Sequence, residues 1–199
     1  MSVYKTKDWL ENKPYFVKKI KDKSVDLKSF ISEYLEWMKK PTYHRFDAYA
    51  IVYREALGVD KNGKNADPST WGTTFDRIKQ LHGLIMKDGS IFAKVISCEG
   101  LAHRYVDLFL ASNDEEYFNL YESLYEKTHK LALKGKYWKN VDSSLYWWGI
   151  AYTRCGKDKK AIDAFCRIKN RKGERYKKSP AYQKKMKYAR NCCKKKRVL

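Results

Sequence analysis

Glu99, His103 and Asp107 recur every fourth residue, a spacing that lines three potential metal ligands along one face of a helix. His129 or Glu122 from a following hairpin would be needed to complete a coordination set. The simpler expectation is a polar helix face with His103 paired to a carboxylate, because three ligands without supporting outer partners define no metal site. The chain contains no phosphate-cradling glycine loop, no nucleophile elbow and no HExxH helix. Its five cysteines (Cys98, Cys155, Cys166, Cys192, Cys193) are an odd number without metal spacing, and the adjacent Cys192 and Cys193 cannot form an ordinary zinc pair. Asp60, Asn62 and Asp67 invite a calcium reading. Gly63 comes too early for it, and no glutamate closes the loop. The expectation is a non-enzymatic protein without a metal, a cofactor or a small-molecule substrate.

The chemistry this sequence does carry is charge. It has 43 Lys/Arg against 23 Asp/Glu, a net of +20. Residues 151–199 hold 19 Lys/Arg against only Asp158, Asp163 and Glu174, whereas residues 1–150 hold 24 against 20. Such crowding repels itself unless an anionic partner neutralises it. The expected nucleic-acid contacts are Arg167, Lys169, Arg171, Lys172, Arg175, Lys177, Lys178, Lys184, Lys185, Lys187 and Arg190, which would dock on phosphates and release counterions. Tyr176, Tyr182 and Tyr188 are interleaved where they could stack on unpaired bases. RNA and DNA stay equally open, as does a ribonucleoprotein. The alternative is an acidic protein partner met by electrostatic steering, including the case of a viral or effector inhibitor of a nucleic-acid-handling complex. A solvated lysine-rich end without a partner is the third reading. No membrane partner is expected: the apolar face of residues 180–193 lacks Trp, Phe and Leu, and the apolar stretch Leu145–Tyr152 is too short to span a bilayer.

These residues must be positioned by folded elements. Hydrophobic residues make up 43% of the chain and aromatics 15%, which basic disordered tails lack. The first twenty-three residues read as mostly irregular. A helix is expected from Ser24 or Asp26 to Pro41, with Leu27, Phe30, Ile31, Tyr34, Leu35 and Met38 at helical spacing. Tyr43–Leu57 follows, ended by Gly58, and Val59–Trp71 reads as a loop. Phe75, Ile78, Leu81, Leu84 and Ile85 mark another helix. Ile91–Ile96 resembles a strand in composition, but its continuation through Leu101, Tyr105, Leu108 and Phe109 favours a helix. Ser112-Asn113-Asp114 caps the next one, which Gly135 ends. Residues 24–135 are thus expected as N-terminal helical hairpins. In the segment 176–199, Ser179-Pro180 starts a basic amphipathic helix with a frayed tail.

Between these regions, Leu145, Trp148, Gly149, Tyr152, Ala161, Phe165 and Ile168 occupy positions 4, 7, 8, 11, 20, 24 and 27 of a 34-residue unit, residues 142–175. This unit resembles a tetratricopeptide repeat, with Gly173 in place of the usual late proline. A degenerate copy, Leu101 to Leu124, keeps the spacing 44 residues upstream but loses the small residues. The resemblance implies an all-α fold in which antiparallel helical hairpins stack as a short tetratricopeptide-like array, here one domain over 1–199. It also implies a task of gripping other macromolecules. An N-terminus without an apolar core (MSVYKTKDWLENK) leads to the expectation of a reducing cytoplasm, or the host cytoplasm for a viral product.

Overall fold

The computed structural model describes residues 6–38, 52–59, 67–168, 183–184, 187–189 and 191–192. The described residues form helices and turns, with no strand among them. The helices are α1 (Thr6–Lys21), α2 (Leu27–Met38), α3 (52–56), α4 (Gly72–Asp88), α5 (Ile91–Ser112), α6 (Glu115–Lys134), α7 (Trp138–Arg154) and α8 (Asp158–Cys166), with a 3₁₀ turn at Pro68–Thr70. They gather into two compact units, Met1–Thr128 and His129–Leu199.

Unit 1 is held by apolar stripes converging on α4, which packs against α1, α2 and α5. Phe75, Ile78, Leu81 and Ile85 of α4 are buried as the helical period requires. Asp26 caps α2, its carboxylate accepting from the amides of Lys28 and Ser29. Helix α1 corrects the expectation of an irregular start. Phe16 and Ile20, four apart, are buried, and the Phe16 ring stacks on Trp37 at 4.3 Å. Lysines at 13, 18, 19 and 21, together with Pro14 inside the helix, obscure that short stripe in the sequence. Arg77 secures the end of α1. Its guanidinium donates to the carbonyls of Ile20 and Val25 at 2.8 Å, and of Lys19 at 3.3 Å, supplying the partners a helix C-terminus lacks.

Helix α5 begins with Ser90, whose hydroxyl accepts from the Ala93 amide, so Ile91–Ile96 is helical despite its β-prone composition. Burial of α5 around most of its circumference explains that composition. Asn113 ends α5 in the left-handed region (φ 57°), and Asp114 caps α6 through the Glu116 amide. Asp67 accepts from the Ser69 amide and hydroxyl, so its carboxylate serves the 3₁₀ turn; Asp60 and Asn62 lie outside the described residues.

In unit 2, α7 and α8 form a hairpin turned at Cys155-Gly156-Lys157, with Gly156 at φ 67°. Leu145, Trp148, Tyr152, Ala161 and Phe165 are buried in it. At Gly149 the two helices approach closely: a Cβ there would stand 2.5–2.7 Å from three atoms of the Phe165 ring.

Candidate nucleic-acid interface

Glu99, His103 and Asp107 do lie on one helix, α5, and His103 and Asp107 have different partners there. Asp107 pairs with Arg104 at 3.1 Å, and both are largely buried. His103 shares a 2.9 Å hydrogen bond with the Tyr125 hydroxyl of α6. Burial, with Tyr121 and Glu99 nearby, holds the Tyr125 phenol well above its ordinary range, so it stays neutral and able to donate. Among the described residues no group of three or more His, Cys, Asp or Glu side chains could hold a metal ion.

A second polar chain was not evident from the sequence. Ser97 Oγ lies 2.8 Å from the Tyr53 hydroxyl and 2.9 Å from His82 Nδ1. The pairing resembles a nucleophile and its base, and Ser97 is buried, 2% exposed. Burial, and secondarily Lys127, lowers the His82 pKa to about 4, keeping the imidazole neutral. The chain gives the buried Tyr53 and Ser97 hydroxyls hydrogen-bond partners.

The charge excess lies elsewhere, in unit 2. Unit 2 holds 23 Lys/Arg against Asp142, Asp158, Asp163 and Glu174, a net of +19; unit 1 holds 20 against 19, a net of +1. Asp142 is buried, which leaves the surface of unit 2 fewer carboxylates still. Besides the cations named from sequence, unit 2 carries Lys130, Lys134, Lys136, Lys139, Arg154, Lys157, Lys159, Lys160, Lys194, Lys195, Lys196 and Arg197. Lys159 and Lys160 are exposed in the first turn of α8, where the helix dipole disfavours a cation.

Of the residues named from sequence, Arg167, Lys184, Lys187 and Tyr188 are described. Lys169, Arg171, Lys172, Arg175, Tyr176, Lys177, Lys178, Tyr182, Lys185 and Arg190 lie outside the described residues. Lys184 and Lys187 are exposed. Arg167 lies over the Trp148 ring at 5.5 Å. Tyr188, expected to stack on bases, is 41% exposed and meets Phe165 edge to face at 5.4 Å and Tyr146 at 6.3 Å. With the buried Ala189, it seats the helical residues 187–189 on the α7–α8 hairpin. A cleft of about 300 Å³ opens nearby, walled by Leu133, Val141 and Leu145 with His129, Asp142 and Arg167 as its polar groups. Compared with known proteins, the chain matches no family model, no curated protein and no solved structure.

Proposed function

We propose that unit 2 is a non-enzymatic docking module for nucleic acid, RNA or DNA, alone or within a protein complex. The observation that carries this reading is the charge boundary: a net of +19 on one compact unit beside +1 on the other. Cations dispersed for solubility alone would not follow a structural division. In this reading the α7–α8 hairpin is a tetratricopeptide-like platform, and the exposed lysines of α8 and of residues 184–187 contact phosphates. Each contact releases condensed counterions, so affinity falls steeply with salt. A mobility-shift titration tests the function, with Lys159→Glu/Lys160→Glu and Lys184→Glu/Lys187→Glu as variants. Wild-type protein is expected to shift nucleic acid at low salt, with both variants weaker and shallower in salt dependence. No shift at about 50 mM salt overturns the proposal. Retention of an acidic protein in a nuclease-treated pull-down, together with that absence, would put a protein partner in its place.

A further inference from the structure

The described aromatic rings of unit 2 are largely committed to one another. Trp148 and Tyr152 are buried and stack at 5.9 Å, with Arg167 over the first ring and Lys160 over the second. Tyr146 meets Trp147 edge to face at 5.4 Å, and Tyr146, Phe165 and Tyr188 form a second cluster. A base stacking on any of these rings would compete with a packed neighbour. Binders of single strands present open aromatic faces along a basic groove instead.

The kind of cation points the same way. Of the 23 basic residues in unit 2, 17 are lysine and six arginine. Lysine is a compact point charge suited to phosphate oxygens, whereas arginine supplies the planar fork that reads guanine edges or stacks on bases. Duplexes also offer a denser array of targets, about one charge per 1.7 Å of axis against one per 3.4 Å of a single strand.

We infer that the basic unit docks on the phosphate backbones of a double-stranded nucleic acid without reading its bases. This docking mode rests on the nucleic-acid function proposed above. Fluorescence anisotropy of the full chain with a labelled duplex, and with oligo-thymidine of equal length, tests it across salt. Four neutralised phosphates, the number of exposed lysines at 159, 160, 184 and 187, would cost about 150-fold in duplex affinity between about 50 and 200 mM salt, and about 50-fold for a single strand. The expected result is tighter, more salt-sensitive duplex binding, unchanged when the duplex sequence is scrambled and weakened by Lys184→Glu/Lys187→Glu with circular dichroism intact. Oligo-thymidine binding at least as tightly as duplex overturns the inference and leaves the nucleic-acid function standing. A tenfold change on scrambling the duplex overturns it as well. Binding of neither probe at low salt overturns both.

Discussion

Replacing Gly149 by alanine sets two effects of opposite sign against each other. In a helix interior, alanine is favoured over glycine by about 1 kcal/mol. At Gly83 in α4 nothing lies within 4 Å of the new Cβ, so Gly83→Ala should realise that gain in full. At Gly149 the Cβ would stand 2.5–2.7 Å from Cε1, Cζ and Cδ1 of Phe165. That ring cannot retreat freely, because Tyr146 and Tyr188 pack against it at 6.0 and 5.4 Å. Overpacking of this kind costs about 1–3 kcal/mol, and the confined ring argues for the upper part of that range. The net expectation is a loss of about 1–2 kcal/mol for Gly149→Ala, opposite in sign to Gly83→Ala. Native-state hydrogen exchange reads the two sites separately, through the amides of α4 and α7. Phe165→Leu removes the colliding ring, so the double variant should be more stable than the sum of the single losses by about 2 kcal/mol. Equal protection gains at both glycines, or additivity in the cycle, would show that α7 and α8 do not cross closely at Gly149.

Two further perturbations address unit 1. Arg77→Leu leaves the carbonyls of Lys19, Ile20 and Val25 without their donor, and should cost about 2–4 kcal/mol in denaturant unfolding. Arg77→Lys should recover little of it, since one ammonium cannot reach all three acceptors as a guanidinium fork does. Acidification should also destabilise unit 1. His82 titrates near pH 4 when folded and near 6.5 when unfolded, so its contribution is complete above about pH 6.5 and is lost as the pH falls toward 4. The loss amounts to about 2 kcal/mol by pH 5, and His82→Gln should flatten that part of the stability profile; an equally steep profile in the variant would assign the acid sensitivity to other groups.

Much of the helical layout was legible because local signals carried it. Asp26, Ser112-Asn113-Asp114 and Gly58 mark helix ends by chemistry that acts within a few residues. The close approach of α7 and α8 at Gly149 is what the tetratricopeptide resemblance implied, with Gly149 and Ala161 as its small residues and Phe165 filling the space beside them. Helix α1 was hidden because Phe16 and Ile20, the residues buried among those whose side chains are described, sit among lysines and make no readable period. The task of Arg77 was hidden for a different reason. A lone arginine in a polar stretch looks like surface until the carbonyls it serves, more than fifty residues away, are known. On the interface side, the excess of cations was plain, but a cut at residue 151 split what the fold assigns to one unit beginning at His129. The contacts of Tyr188 with Tyr146 and Phe165 come from a tertiary arrangement that no local pattern encodes.

The way α1 is finished has a consequence for how the chain acquires its structure. The donor to the Ile20 carbonyl lies 57 positions downstream, so that carbonyl exchanges water for a protein partner only once that part of the chain has been made and α4 has docked. During synthesis the first helix emerges with its exit end still hydrated, and it becomes a settled element only when its distant partner arrives. Substitutions at Arg77 should therefore act chiefly by hastening unfolding rather than by slowing the earliest steps of folding.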